Sequence, residues 1–171
     1  MLDVFNNLQP FFEDCHRRYS VREYARIRHV SPPTASVILS ALTAQHLLNK
    51  QHERQYIFFW ANHNSAFFRD LARIYWRQRL EDVGLINHLT AIFTTPTIIL
   101  FGSLAKGENT RESDVDIAII SPKRDIHFAP FEKKLGRTIQ SFIFTSISTI
   151  KNKELLQSIL NGYLLEGRVK V

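Results

Sequence analysis

Hydrophobic positions recur at helical spacing directly after Ser20, near the start of the chain. The apolar residues with this spacing are Val21, Tyr24, Ala25 and Ile27. The Ser20 hydroxyl can cap the first turn while the Glu23 carboxylate reaches back to the Ser20 backbone, which is the pattern of a capping box. The segment therefore predicts a helix that begins after Ser20 and ends near His29.

A second helical pattern follows after a very short break. Ser31 offers a fresh N-cap, and Pro32 and Pro33 fall in the first turn, where the missing N–H of proline leaves no hydrogen bond unmade. The apolar positions of this segment are Ala35, Val37, Ile38, Ala41 and Leu42. Together the two patterns predict a pair of helices joined by a short turn.

Two strand-like segments come next. Residues 47–50 and 55–60 are rich in leucine, isoleucine and aromatic side chains, and they flank a polar tip at residues 51–54. Two such runs around a short polar connection predict a β-hairpin.

A long amphipathic helix is predicted over residues 65–82. The apolar residues expected on one side are Phe67, Phe68, Leu71, Ile74 and Tyr75. The other side carries Arg69, Arg73 and Arg77, for which we predict a solvent-exposed face. The apolar side is also a candidate for the seam of a dimer.

The second half of the chain alternates strands and helices. Thr97–Phe101 is a continuous apolar run, as expected of a fully buried strand, and Val115–Ile120 is another. The remaining predicted elements are helices over residues 85–93, 130–135 and 152–160 and a strand over residues 138–144. These elements predict an α+β protein of two domains, over residues 1–64 and 85–171, joined by a linking helix over residues 65–84. The second domain is expected to be α/β with a small mixed sheet.

Composition restricts the class of protein. Hydrophobic residues make up 44% of the 171 positions and charged residues 22%, which is enough apolar material for packed cores and excludes a disordered chain. The single cysteine, Cys15, excludes an intramolecular disulfide and a cysteine-based metal cluster. We expect a cytoplasmic protein, because no apolar run approaches the length of a membrane span and no basic segment precedes an apolar one at the start.

The net charge of +6 fits an anionic partner such as nucleic acid or a nucleotide. Residues 1–90 and residues 91–171 each hold 11 Lys and Arg against 8 Asp and Glu. Charge alone therefore does not show which half binds the anion.

Two aspartates open the second strand of the second half. Asp114 and Asp116 lie two positions apart, so both carboxylates are expected on the same face, where they repel unless a cation lies between them. Oxygen ligands of this kind suit Mg²⁺, which proteins usually hold through one or two carboxylates and the phosphates of a nucleotide. A lone Asp-x-Asp is equally typical of a solvated strand end.

A glycine-serine pair directly follows the preceding strand. Gly102 permits a close backbone approach, through which free N–H groups and the Ser103 hydroxyl can hold phosphate oxygens, and Lys106 and Gly107 lie in the same loop. The glycines alone also fit a plain turn. A strand, Gly-Ser, Gly107 and then Asp114-x-Asp116 at the head of another strand is far more specific, and it predicts a nucleotide-binding site with a metal ion.

The stretch from residue 101 to residue 116 resembles the minimal nucleotidyltransferases of the DNA polymerase β superfamily, and the resemblance extends over about residues 85–171. It implies that Gly102 and Ser103 hold the β- and γ-phosphates of an NTP, with ATP the first candidate. It also implies that Asp114 and Asp116 are catalytic and bind Mg²⁺, while an acceptor attacks the α-phosphate and pyrophosphate leaves.

One position departs from this family. Active members usually carry a third acidic residue on the following strand, and the matching register here places Gln140 there. An amide can neither neutralise a metal ion nor accept the acceptor's proton as a carboxylate does. Asp125 and Glu132 are weaker candidates for a replacement carboxylate, and the neighbouring Arg137 is expected on the surface rather than against phosphate.

The two helices and the hairpin, over about residues 4–60, resemble the winged helix-turn-helix modules of prokaryotic transcriptional regulators. The resemblance implies that the second helix enters the major groove, that the hairpin is the wing, and that the protein binds DNA as a homodimer. The implied DNA-binding residues are Arg22, Ser31, Thr34, Ser36, Ser40, Lys50, His52 and Arg54. Residues 31–45 contain no Lys or Arg, however, so the helix has no bidentate contact for guanine, and a module that only docks a protein is the alternative.

Three hypotheses remain open at this point. The first is a DNA-binding protein whose second domain binds Mg²⁺–NTP and transfers a nucleotidyl group to a protein or nucleic-acid acceptor such as tRNA. The second is a non-catalytic transcriptional regulator whose second domain only senses the nucleotide. The third is a protein-interaction partner of another small, antitoxin-like chain.

Overall fold

The computed structural model describes residues 2–169. Over this range the backbone forms eight α-helices and seven strands, which are arranged in one three-stranded and one four-stranded sheet. The fold is therefore mixed α+β, as the sequence predicts. No helix in this range is both long enough and apolar enough to cross a lipid bilayer.

The chain divides into two compact units. The first comprises the residues up to Ala72 together with Gly107–Arg111, and the second comprises Arg73–Lys106 together with the residues from Glu112 onward. These bounds differ from the predicted divisions at residues 64 and 84. The helix predicted as a separate linker contributes residues to both units, and a short loop of the second half packs with the first unit.

The first unit begins with a helix that the sequence analysis did not predict. Its elements are α1 (Leu2–Glu13), β1 (Tyr19–Ser20), α2 (Val21–Arg28), α3 (Pro32–Ala44), β2 (Leu48–Glu53) and β3 (Tyr56–Ala61). The three strands pair antiparallel in the order β1-β3-β2. The order from α2 to β3 confirms the predicted two helices followed by a hairpin.

Both predicted helix starts are confirmed by their caps. The Glu23 backbone N–H donates to Ser20 Oγ at 3.3 Å, and the Ser20 backbone N–H donates to Glu23 Oε2 at 2.8 Å, which completes the capping box. The helix α2 ends at His29, whose φ of 52° is left-handed. Ser31 caps α3 by accepting from the Thr34 backbone N–H.

The hairpin turn is shorter than predicted. Residues 51–53 belong to β2, because Gln51 pairs with Phe58 and Glu53 pairs with Tyr56 across the hairpin. Only residues 54–55 connect the strands, and Arg54 takes a left-handed φ of 54°. Glu53 also forms an ion pair of 2.7 Å with Arg18.

The unpredicted helix α1 supplies much of the core of the first unit. Leu8, Phe11 and Phe12 are fully buried. The Phe11 ring meets the Tyr19 ring edge-on with centroids 5.2 Å apart, and the Phe12 and Phe68 ring centroids are 5.3 Å apart. The spacing of Leu8, Phe11 and Phe12 is helical, but Pro10 lies within the same segment and disfavours a helix there.

The loop Gly107–Arg111 joins this unit through Asn109, which is fully buried. Its Nδ2 donates to the carbonyl oxygens of Phe12 and Glu13, at 2.9 and 3.1 Å, and so satisfies the end of α1. The Cys15 backbone N–H donates to the Asn109 carbonyl at 2.8 Å. Cys15 is thus a buried structural residue of the first unit.

The long predicted helix is present as α4 (Ala66–Asp82). Phe68, Leu71 and Tyr75 are buried as predicted, but Phe67 and Ile74 are 57% and 46% exposed. The buried stripe also includes Ala72 and Trp76, which moves its centre away from Phe67 and Ile74. The predicted dimer stays a prediction.

The arginines of α4 do not form the simple solvated face that the sequence predicts. In the first unit, Arg69 donates to the His63 and Asn64 carbonyl oxygens. In the second unit, Arg73 Nε donates to the Ala105 carbonyl at 2.8 Å and Arg77 donates to the Leu165 carbonyl at 2.9 Å. Each of these arginine side chains is half-buried. Each forms a hydrogen bond from α4 to the backbone of another segment of its own unit.

The second unit contains the other elements. They are α5 (Leu85–Ile92), β4 (Thr97–Phe101), α6 (Gly102–Lys106), β5 (Val115–Ile120), α7 (Ala129–Leu135), β6 (Ile139–Phe144), α8 (Lys153–Leu160) and β7 (Tyr163–Glu166). The sheet order is β6-β5-β4-β7, with β5 and β6 parallel and the other pairs antiparallel. This is the predicted small mixed sheet with an additional edge strand, β7, that was not predicted.

The sheet carries the core of this unit. All five residues of β4 are buried, as its continuous apolar run predicts. Ile99, Phe101, Ala118, Ile150 and Ile159 form a buried cluster on one side. The buried strands β4 and β5 therefore hold the backbone of the polar residues at their ends in position.

Candidate functional site

The candidate site lies where β4 ends and β5 begins. These antiparallel strands pair Phe101 with Asp116, so the residue after β4 comes next to the start of β5. Gly102 follows Phe101 with a positive φ of 71° and begins α6. A Cβ on Gly102 would overlap Asp116 Oδ2. Any other residue here would strain the backbone and displace the Asp116 carboxylate from its position.

The two aspartates of the site are half-buried. Asp116 lies on β5, and Asp114 lies two residues before it, just ahead of the strand. Burial raises the pKa of the Asp116 carboxyl, and the nearby Asp114 charge raises it further. Both effects disfavour a negative charge at Asp116, so a cation bound at this point would relieve the repulsion.

The Gln140 side chain lies beside the two aspartates of the site. The parallel pairing of β5 with β6 places Asp116 directly beside Gln140, which confirms the register that the sequence predicts. The Gln140 Nε2 amide donates to Asp114 Oδ2 at 2.6 Å. At the position of the third acid, this chain therefore holds a hydrogen-bond donor that orients one aspartate instead of a further carboxylate.

Arg137 is buried, which corrects the prediction of a surface arginine. Its side chain is 7% exposed, its NH1 donates to the Ser113 carbonyl at 2.6 Å, and its guanidinium carbon lies 4.8 Å from the centre of the Trp76 ring. Because Ser113 precedes Asp114, this contact fixes the backbone that enters the site. Sequence reasoning missed the contact, since Trp76 lies far away along the chain.

Of the other predicted nucleotide-binding residues, Ser103 and Lys106 lie on α6, whereas Gly107 belongs to the first unit. Ser103 is the second residue of α6 and is half-buried, and Lys106 is exposed at the end of the same helix. Gly107 belongs to the first unit and has a φ of 68°, and a Cβ on it would lie in ordinary contact with Phe68 and Arg69. Its predicted role in nucleotide binding stays a prediction.

The two candidates for a replacement carboxylate, Glu132 and Asp125, have other surroundings. Glu132 Oε1 accepts from the Ile139 backbone N–H at 2.8 Å and so joins α7 to β6. Asp125 is exposed in the loop after β5. The carboxylates that the fold places together here are Asp114 and Asp116.

The donor set suits one kind of metal ion. Within residues 2–169 there is no cluster of three or more His, Cys, Asp or Glu side chains able to hold a metal ion by themselves. A pair of aspartates beside a glycine backbone instead fits Mg²⁺, whose other ligands are commonly phosphate oxygens and water. The residues present therefore fit a divalent ion that arrives together with a nucleotide.

The predicted DNA-binding residues all lie in the first unit. Arg22 is exposed on α2, and Ser36 and Ser40 are exposed on α3. The hydroxyls of Ser31 and Thr34 lie 2.8 Å apart, and Ser31 also caps α3, so both groups already have partners within the chain. Three more are exposed in the hairpin: Lys50, His52 and Arg54.

Residues 87–160 match the family model of the nucleotidyltransferase domain. The matched range contains Gly102, Ser103, Asp114, Asp116 and Gln140, which are the residues that the sheet brings to one end. It covers less than half of the chain and lies entirely beyond α4. No curated protein and no solved structure gave a match.

The match to the nucleotidyltransferase domain model gives the site a chemical context. Domains of the family generally use an NTP and Mg²⁺, and the arrangement of Gly102 against Asp116 is consistent with that use. The hydrogen bond from Gln140 to Asp114 is the feature in which this chain departs from the three-carboxylate pattern.

Proposed function

We propose that the nucleotidyltransferase domain binds an NTP together with Mg²⁺, and that the protein is a DNA-binding regulator that senses this nucleotide. The observation that carries the proposal is the approach of the Gly102 backbone to the Asp116 carboxylate, beside a second carboxylate at Asp114. A plain turn after a strand does not require such an approach. Asp114 and Asp116 would hold a divalent ion beside the Gly102 backbone, and the ion would neutralise the charge of a phosphate group bound there.

Each residue has a distinct task in the proposed complex. Asp114 and Asp116 hold the ion, which neutralises the phosphate charge. The backbone N–H groups from Gly102 onward and the Ser103 hydroxyl hold phosphate oxygens. The Lys106 ammonium adds a positive charge at the end of α6. Arg137 acts indirectly, because it fixes the backbone before Asp114.

Gln140 favours nucleotide sensing over nucleotidyl transfer. Transfer requires a group that takes the proton of the attacking acceptor, and an amide does not accept a proton at neutral pH. The Gln140 amide is also engaged with Asp114. The site as folded therefore supports binding of the nucleotide, whereas transfer to a protein or tRNA acceptor is the competing hypothesis.

Labelled nucleotides separate the two hypotheses. The protein is incubated with Mg²⁺ and each of the four NTPs carrying a labelled α-phosphate, alone and with total tRNA or protein extract. We expect bound nucleotide but no label on protein or RNA, for the natural chain. Label transferred by the natural chain but not by Asp114→Asn would contradict sensing and establish a transferase. The variant Gln140→Asp tests whether the amide is the limiting feature.

We further propose that the first unit is a winged helix that binds DNA. Three features support this: the short turn between α2 and α3, the β1-β3-β2 sheet with its hairpin, and the exposed cations of the hairpin. In winged helices the helix at the position of α3 enters the major groove and the hairpin contacts the backbone. Lys50 and Arg54 are the proposed phosphate contacts.

A mobility-shift titration against salt tests this part. Each phosphate contact releases counterions, so affinity for duplex DNA should fall steeply as salt rises. The variant Lys50→Ala/Arg54→Ala should lower the slope of log K against log salt by about two. An affinity that does not change with salt, or an unchanged slope in the variant, would contradict phosphate contacts by the hairpin.

A further inference from the structure

The outward face of α3 carries no charge. The exposed side chains of this helix are Thr34, Ser36, Val37, Ser40, Ala41 and Ala44, beside the prolines of its first turn. Val37 is 71% exposed, the largest exposure among the large hydrophobic side chains of the described residues. A bulky apolar side chain in this position contributes nothing to the core of the first unit, so its environment in the free protein is water.

The face presents methyl groups more than hydroxyls. Thr34 Oγ1 lies 2.8 Å from Ser31 Oγ within the cap of α3, so one hydrogen-bonding position of the Thr34 hydroxyl is used inside the chain, and Thr34 also carries a methyl group. Thr34, Val37 and Ala41 are spaced three and four residues apart, which places them on one stripe of the helix. Ser36 and Ser40 lie beside this stripe.

The same unit carries exposed cations on elements that neighbour this uncharged helix. Arg22 and Arg26 are exposed on α2, which packs against α3, and Lys50 and Arg54 are exposed in the hairpin. A partner with a charged rim and an apolar centre complements this arrangement. A DNA duplex has those properties in its major groove, where phosphates flank the C5-methyl group of thymine.

We propose that α3 reads A·T base pairs by packing Thr34, Val37 and Ala41 against thymine methyl groups. This inference rests on the proposed DNA binding and specifies which base pairs α3 recognises. Guanine is usually read by Arg or Lys, and residues 31–45 contain neither. Thymine is the base that offers a methyl group in the major groove, so an apolar helix face can select it without any charged contact.

The test compares thymine with uracil, which lacks only this methyl group. A duplex selected by the full-length protein from a random pool is prepared with thymine and with uracil at the selected positions. We expect an A·T-rich selected sequence and an affinity lower by about fourfold for each contacted methyl group removed, the effect of one apolar carbon. In Val37→Ser, whose side chain is exposed, the thymine-to-uracil ratio should shrink. Arg54→Ala is the matched control and should weaken both duplexes equally.

The outcomes separate this inference from the proposed function. Equal affinity for the thymine and uracil duplexes, or selection of G·C-rich sequences, would overturn base reading by α3 while DNA binding stands. Failure to bind any duplex at low salt would overturn both. A dimer in solution that dissociates on Val37→Ser would show that a second copy covers the face, and it would overturn the inference as well.

Discussion

Gly102 and Gly136 adopt nearly the same left-handed conformation, with φ values of 71° and 67°, in different surroundings. A Cβ at Gly102 would overlap the Asp116 carboxylate, whereas a Cβ at Gly136 has no atom within 4 Å. Both glycines adopt a left-handed backbone conformation, which strains any other residue. Only Gly102 also lies so close to a carboxylate that a Cβ would overlap it, whereas Gly136 ends α7 in open space.

The pair Gly102→Ala and Gly136→Ala tests this difference. An alanine in a left-handed conformation costs about 1–2 kcal/mol, so Gly136→Ala should lower the free energy of unfolding by that amount and leave nucleotide binding intact. Gly102→Ala should lose more and should abolish Mg²⁺-dependent nucleotide binding. Urea unfolding and calorimetry measure the two effects. Equal losses of stability with nucleotide binding retained in both variants would refute a tight approach at Gly102.

The pKa of Asp116 is raised by burial and by the charge of Asp114, which leads to a prediction about stability and pH. A carboxyl with a higher pKa in the folded state contributes stability below its ordinary pKa, and that contribution is lost as the pH rises through the raised value. Without divalent ions, Asp116→Asn should therefore be more stable than the natural chain at neutral pH. The difference should vanish below about pH 4.

Thermal unfolding in a chelating buffer measures this difference. Asp125→Asn is the control, because Asp125 is exposed and its neutralisation should leave the unfolding temperature unchanged. An Asp116→Asn protein that is less stable than the natural chain at neutral pH would show that Asp116 is not disfavoured in its charged form.

At the scale of single elements, the start of α2 depends on the capping box of Ser20 and Glu23. The hydrogen bonds from Ser20 lower the pKa of Glu23. A carboxyl with a lowered pKa contributes stability above its ordinary pKa, and that contribution is lost as the pH falls through the lowered value. The cap should therefore weaken in acid.

Two variants test the cap. Ser20→Ala should lower the free energy of unfolding by about 1 kcal/mol. Glu23→Gln should lower it less at neutral pH, and that smaller loss should disappear at acidic pH, where the carboxyl is protonated. Glu154→Gln in the first turn of α8 is the matched control for charge at a helix start. A Glu23→Gln loss that is the same at neutral and acidic pH would contradict the cap.

The elements that the sequence predicts are those with local signals. Ser20 and Ser31 cap helices through residues three positions away, and Gly136 ends α7, so these boundaries are readable without the fold. The position of Gln140 beside Asp116 was also predictable, but through the resemblance to nucleotidyltransferases and not from a local signal.

Other features depend on distant partners and were not predictable. The burial of Arg137 requires the Trp76 ring from α4. The loop Gly107–Arg111 packs with the first unit because Asn109 satisfies the end of α1, and nothing in the loop sequence indicates that partner. The helix α1 was missed because Pro10 interrupts its pattern.

At the scale of the whole molecule, the chain divides into two compact units, and the second contains the residues 87–160 that match the nucleotidyltransferase domain model. The bounds of the two units were not predictable, because α4 contributes residues to both and residues 107–111 belong to the first. The proposed function depends most on the site in the second unit.

Calorimetric titration of ATP in the presence and absence of Mg²⁺ tests that site most directly. The natural chain should bind ATP with Mg²⁺ and lose most of that affinity in a chelating buffer, because Asp114 and Asp116 would hold the ion that neutralises the phosphate charge. The double variant Asp114→Asn/Asp116→Asn should show no Mg²⁺-dependent binding, whereas Asp125→Asn should bind like the natural chain. Unchanged Mg²⁺-dependent affinity in the double variant would contradict the proposed function.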